Sequence, residues 1–279
     1  MSYATIMVLL DPSRRSHHRL EVAAQLAATH HAALIGMIAS QRPDPAWVYR
    51  LPDGVRYLAD IRARHQQDCE VVRRAFDRAT EALPIAAKWH AFDGHPLAIG
   101  QREARLADLL VVGQDDPADP AAFVAQDFVE SIVLGSGRPV LAIPRVGRFA
   151  AIGSRVLVCW DGGREAARAI LDALPLLRKA RAVTLACCAA AGNSDDEWSA
   201  PPEYAVSWLV AHGVSADVQH LAPAARADIG ERLLSAAADV QADLIVAGAY
   251  GHSRFRELVL GGVTRTLLDC MTVPVLFSH

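Results

Sequence analysis

The chain repeats itself, and the repeat decides how every other feature is read. The run from Thr5 to Asp11 (TIMVLLD) returns from Arg155 to Asp161 (RVLVCWD), in both cases an apolar stretch that stops at an aspartate. Ala107 to Gly113 (ADLLVVG) returns as Ala242 to Gly248 (ADLIVAG), and Gly137 to Pro144 (GRPVLAIP) as Thr272 to His279 (TVPVLFSH). Three matched blocks in one order predict two units, 1–145 and 154–279, joined by a short polar linker at Arg145 to Gly153. Gly113 to Pro139 and Gly248 to Pro274 both span 26 residues, so the late part of the repeat keeps its register. Asp11 to Gly113 spans 102 residues against 87 from Asp161 to Gly248. The extra length of the first copy is assigned to an insertion around Pro43 to Gly54.

Within the second copy the hydrophobic period alternates between two kinds of element. Val156 to Trp160 is a short continuous apolar run, as expected of a strand buried on both faces. Glu165 to Lys179 carries apolar residues three and four apart, one helical face. Strand-like runs follow at Ala182 to Cys188, Ser215 to Leu221, Asp243 to Gly248 and Val273 to Phe277. Helical runs lie at Pro202 to His212, Ala225 to Asp239 and Val263 to Cys270. Five strands alternating with four helices require crossover connections, so each half is an α/β domain: a doubly wound, five-stranded parallel sheet with helices on both faces. Ligands of such sheets sit beyond the carboxyl ends of the strands. This directs attention to Asp161, to Cys187 and Cys188, and to the segment beginning at Gly248.

Composition narrows the partners. Of 279 residues, 52% are hydrophobic and the formal net charge is -3, an ordinary packed protein without the basic field that holds nucleic acid or an anionic membrane. No apolar run approaches the roughly 20 residues that span a bilayer, and the N-terminus lacks a basic and apolar leader, so a cytoplasmic location is expected. Five cysteines without CxxC spacing argue against a disulfide framework or zinc ribbon. Cys187 and Cys188 are expected to pack rather than react. His17-His18 and His30-His31 are sequence neighbours that do not share a helical face, a poor basis for a metal site. Trp47 and Tyr49 could cover the first cleft or a partner surface.

The chemistry concentrates after Gly248. Gly248 and Gly251 follow a strand, nine residues separate Gly251 from Gly261, and Gly262, Val263 and Thr264 open the last helix. Glycines let peptide N–H groups approach a phosphate, and a helix N-terminus adds free donors and a favourable dipole. The pattern is neither a P-loop nor the GxGxxG dinucleotide fingerprint. His252, Arg254 and Arg256 are candidates to meet phosphate from the same loop, and Thr264 could offer a hydroxyl. Asp161 could cap the helix that follows it.

Together, the strand-closing aspartates Asp11 and Asp161, the Ala-Asp-Leu strand, the G-2x-G-9x-G motif and the Pro-Val-Leu strands resemble the universal stress protein family, with the whole chain similar to a tandem member. The resemblance implies an adenine nucleotide alpha hydrolase-like fold, pairing of the two domains through their last strands and, in one subclass, ATP binding. It implies adenosine near Asp161 and Cys188, and ribose and phosphates along Gly248, Gly251, Gly261, Gly262, Val263 and Thr264, with Mg2+ entering only with the nucleotide. ATP-binding members usually carry Ser or Thr after the third glycine; here Gly262 keeps the backbone donor and lacks the hydroxyl.

The repeat register aligns Asp116 with Gly251, Gln126 with Gly261 and Asp127 with Gly262. Two like charges about 4 Å apart repel by roughly 4 kcal/mol at an effective dielectric of about 20, near half of the roughly 8 kcal/mol behind micromolar binding. The first half is therefore expected not to hold ATP. No nucleophile, base and orienting group come together in the sequence, so a nucleotide-responsive stress module is expected, with a ligand-independent interaction protein and a weak ATPase as alternatives. Association of two chains into a homodimer is left open.

Overall fold

The computed structural model describes residues 2–40, 48, 53–119, 127–190, 200–250 and 262–279. The first half builds β1 (Thr5–Leu10), α1 (Ser16–His30), β2 (Ala33–Ser40), α2 (Gly54–Glu81), β3 (Ala87–Asp93), α3 (Pro96–Ala104), β4 (Leu109–Gly113), α4 (Phe128–Gly135) and β5 (Val140–Ile143). The second builds β6 (Arg155–Trp160), α5 (Arg164–Leu177), β7 (Ala182–Ala190), α6 (Pro202–Ala211), β8 (Asp217–Ala224), α7 (Ile229–Asp239), β9 (Leu244–Gly248), α8 (Gly262–Cys270) and β10 (Val275–Ser278). The α/β alternation expected from the hydrophobic period is thus the one observed. A single 3₁₀ turn, Arg226–Asp228, replaces the first turn expected of α7.

The ten strands form one sheet in the order β3-β2-β1-β4-β5-β10-β9-β6-β7-β8. Each half is internally parallel, as expected, and the halves join where β5 pairs antiparallel with β10, Leu141 opposite Leu276. Every residue of β5 and β10 is buried. Strand side chains alternate between faces. Ile6, Val8 and Leu10 pack with α1, α2, α5 and α6, while Met7 and Leu9 pack with α3, α4, α7 and α8. That double burial is why these strands read as continuous apolar runs.

The repeated Ala-Asp-Leu block has a structural reason. Asp108 accepts the N–H groups of Ala4 and Thr5 at 2.8 and 3.0 Å, and Asp243 accepts those of Gly153, Ser154 and Arg155 at 2.9–3.1 Å. Each aspartate clamps the start of the first strand of its own half. The Gly135-Ser136-Gly137 stretch turns into β5, with Gly137 at φ 65°.

The extra length of the first half lies elsewhere than expected. The helix between its second and third strands, α2, has 28 residues against 10 in its counterpart α6. The chain segments before these helices are of similar length, so the insertion is a longer helix rather than a loop around Pro43 to Gly54. α2 docks through a short buried stripe, Val72, Phe76 and Thr80. Phe76 lies against Gly36, where any Cβ would come within 2.5 Å of its ring. Trp47 and Tyr49 lie outside the described residues.

Truncating the junction should destabilise both halves at once. Leu276→Ala removes a fully buried side chain and should cost about 2–5 kcal/mol. Chemical denaturation followed by fluorescence should show one shifted transition; a second half that melts alone would contradict a shared sheet.

Candidate functional site

Of the residues singled out in the second half, Asp161, Cys187, Cys188 and Gly248 lie at the carboxyl ends of β6, β7 and β9. Asp161 follows β6, is exposed, and its Oδ1 accepts the Gly163 N–H at 2.8 Å. It therefore makes a turn before α5 rather than capping it: Gly163 is the N-cap and makes no side-chain cap bond. Trp160 Nε1 donates to the Ala200 carbonyl at 3.0 Å, tying the approach to α6 over the same strand end.

Cys187 and Cys188 end up near this edge as packed thiols. Burial, with Glu203 nearby, pushes Cys187 up to about 11, and burial also raises Cys188. Burial pushes Cys159 up to about 12. Such groups stay protonated at neutral pH and offer no thiolate nucleophile.

Gly248 is required by packing whatever else it does. A Cβ there would lie 2.5 Å from the Glu165 carbonyl carbon and 2.6 Å from the Ala166 nitrogen. The first turn of α5 passes directly over it. Gly262 is different: it begins α8, is exposed, and a Cβ would meet nothing within 4 Å. Among the described residues nothing crowds the start of α8, whose first N–H groups have no intrahelical partner. Val263 packs against the core. Thr264 is 4% exposed, and its Oγ1 accepts the Tyr250 N–H at 3.4 Å, tying the strand exit to the helix while its own O–H remains a donor. Gly251, Gly261, His252, Arg254 and Arg256 lie outside the described residues.

The equivalent cleft of the first half is a cavity of about 60 Å³ lined by charged side chains, Asp11, Arg15, Arg19, Asp115, Asp116 and Asp119 among them. Arg19, 6% exposed, runs from α1 to Asp11 at 2.8 Å and lies across Gly113, where a Cβ would meet its Nη1. Asp119 accepts the Arg14 N–H at 2.8 Å. Asp127, aligned with Gly262, begins α4 with φ 63° and no side-chain cap bond. Here the two halves differ: Asp127 is a left-handed residue ahead of its helix, whereas Gly262 has no positive φ and is the first residue of α8. Gln126 lies outside the described residues.

Sequence reasoning missed how this acidic group meets the other half. Gln114 Nε2 donates to the carbonyls of Leu268 and Asp269 at 2.7 and 3.0 Å, closing the C-terminus of α8, while its Oε1 accepts the Arg145 N–H. Burial, followed by Asp127, Glu130 and Asp269, pushes Asp115 up to about 6. Glu130, 7% exposed, is raised by burial and by Asp127. Burial and then Glu130 raise the Tyr250 phenol, and Arg265 opposes both shifts. The only sequence signal was the aspartates in the glycine register; their distance from the second half depends on the β5–β10 pairing.

The histidine pairs disperse. His17 meets Glu21 at 3.2 Å, His18 Nε2 accepts the Phe149 N–H at 3.2 Å, His30 is buried and His31 ends α1 in a left-handed conformation.

Two outcomes follow for the acidic junction. Asp115 holds its proton more tightly folded than unfolded, so its penalty is absent below about pH 4, grows through the window up to about 6 and is complete above it. Urea midpoints should therefore show Asp115→Asn more stable than the parent at pH 8 and equal to it near about pH 3.5; a gain independent of pH would contradict the assignment. Asp127→Gly removes both a left-handed β-carbon and a carboxylate, and should stabilise by about 0.5–1 kcal/mol at neutral pH.

Comparison with known proteins agrees with this architecture. Residues 154–279 match the model of the Universal stress protein family. Among solved structures, a universal stress protein from Archaeoglobus fulgidus DSM 4304 superposes with a TM-score of 0.74 at 17% identity, covering 99% of this chain and 98% of that one. A protein of unknown function from Pseudomonas aeruginosa PAO1 gives a TM-score of 0.60 at 15% identity, over 99% of this chain and 92% of that one. No curated protein matches the chain. At these identities the superpositions speak for the fold. The family match lies in residues 154–279, and the superpositions show that the whole chain shares the α/β fold of those structures, its two halves built into one sheet.

Proposed function

We propose that the protein is a cytoplasmic stress-response module of two domains, 1–145 and 154–279, whose second domain binds ATP or another adenine nucleotide. The observation that carries this reading is that no described residue comes within 4 Å of a Cβ at Gly262, the start of α8, which in sequence directly follows the spaced glycines in the half that matches the family. Asp161 and the neighbourhood of Cys188 would hold adenosine, and Gly248, Gly251, Gly261, Gly262 and the backbone of Val263 and Thr264 the ribose and phosphates. The donor set fits an anion: backbone N–H groups at a helix N-terminus, with no Cβ at its first residue. ATP brings a charged triphosphate, and Mg2+ accompanies it rather than occupying a site of its own. The first domain is read as the structural partner, its cleft walled by the Arg19–Asp11 pair and by the carboxylates of Asp115, Asp116 and Asp119.

A second reading is a ligand-independent interaction protein. It is favoured by the absent hydroxyl at Gly262 and by the engagement of Thr264 with Tyr250.

Calorimetric titration with ATP separates the two. Gly251→Asp should abolish nucleotide binding with the fold intact, and unchanged affinity in that variant would sink the site assignment. Gly262→Ser, sterically free, should tighten ATP about tenfold by adding one hydrogen bond to a charged group. Gly248→Ala is uninformative here, because its Cβ would strike the α5 backbone. No binding at about millimolar ATP, which corresponds to roughly 4 kcal/mol, would favour the interaction protein.

A further inference from the structure

The first half puts more helix into one crossover than its sheet requires. α2 has 28 residues, whereas α6 makes the equivalent crossing with 10. Its inner side carries Leu58, Val72, Phe76 and Thr80, all buried. With about 100° between successive residues, the side opposite is centred on Gln67. There lie Asp60, Ala63, Arg64, Glu70, Val71 and Arg74, and every one of them is exposed. Val71 leaves 54% of its surface to solvent.

Part of this pattern serves the helix itself. Glu70 and Arg74 meet at 3.4 Å one turn apart, the usual support from an acid placed four residues before a base. That use sets no relation between distant turns. Yet the stripe is ordered about Gln67: Asp60 and Arg74 lie seven residues to either side, Ala63 and Val71 four, Arg64 and Glu70 three. Reversing the helix end for end therefore exchanges acid for base at each charged position of the stripe, and small for larger at the apolar ones.

We propose that this stripe is the contact surface for a second copy of the chain, with α2 packed antiparallel on the partner's α2 about a two-fold axis beside Gln67. Asp60 then faces the partner's Arg74, Arg64 the partner's Glu70, and Val71 the partner's Ala63, each contact made twice as a two-fold interface requires. Charge fixes the direction. Parallel packing in register sets every charge against its own copy, and like charges held together disfavour it. Charge also bounds the contact, because about one turn further out Arg56 faces the partner's Arg78. The complementary stretch is 15 residues, about 22 Å of helix, which is small beside a permanent dimer interface. A weak, salt-sensitive association follows. It uses neither strand-end cleft, so it stands apart from the nucleotide reading.

Sedimentation equilibrium on the full chain at about 0.05 M salt should show monomer and dimer exchanging with concentration up to about 100 μM, and about 1 M salt should shift the balance to monomer. Asp60→Arg and Arg74→Glu each turn two attractive contacts into repulsive ones, and each variant alone should dimerise at least about tenfold more weakly than the parent. Mixed in equal amounts, the two variants should form a heterodimer about as tight as the parent dimer, since the two substituted positions then face each other, as do the untouched Arg74 and Asp60. Circular dichroism should be the same for parent and variants, both positions being exposed. A monomer at every concentration, a dimer indifferent to either reversal, or a mixture that stays monomeric would each overturn the proposal. ATP affinity is read separately, so failure here leaves the nucleotide reading standing and the reverse also holds.

Discussion

The structure depends on the antiparallel pairing of β5 with β10. Parallel sheets of five strands leave an apolar last strand as an edge, and an exposed edge of that kind invites pairing with other chains. Here each half supplies the cover for the other. Val140, Leu141 and Ala142 face Phe277, Leu276 and Val275, and none of them retains exposure. The linker then needs only to return the chain to the start of β6, where Asp243 receives it. The helices follow the same economy, four on each face of one continuous sheet.

That shared frame explains why the halves could diverge chemically without diverging in shape. The corner before the last helix is left-handed at Asp127 although no glycine is there. Gly262, at the matching position of the second half, has no positive φ, so the left-handed turn belongs to the first half. Chemistry is written on top of the shared strand order. In the first half, carboxylates and the Arg19–Asp11 pair turn the cleft inward. In the second, Gly262 leaves the helix start bare. The two clefts therefore share a strand order and differ in side chains and in the backbone at the start of the last helix.

Much of this was legible in the sequence because it is governed by local period. Apolar runs such as Val156 to Trp160 are continuous when a strand is buried on both faces, and the α5 stripe is spaced for one helical face. The matched blocks also carried the register that aligns Asp127 with Gly262. What was not legible is governed by contacts between distant segments. Spacing counts extra residues without saying which element takes them; α2 buries so little of its length that its helical stripe is faint, and the Pro- and Gly-containing stretch before it drew the insertion instead. Arg19 reads as one more helix arginine until Gly113 is placed beneath it. That Thr264 accepts the Tyr250 N–H is likewise invisible until strand exit and helix are placed side by side. The proximity of Glu130 and Tyr250 exists only because two halves share a sheet.

The direction of the β5–β10 pair has one more consequence. Since all strands of one half run against all strands of the other, the two carboxyl edges point away from each other across the molecule. A large partner engaging one edge leaves the opposite edge uncovered. The halves are nevertheless mechanically linked at the centre, where Gln114 grips the end of α8. The molecule is built as a two-faced coupler, with one rigid axle and a differently equipped socket at each end.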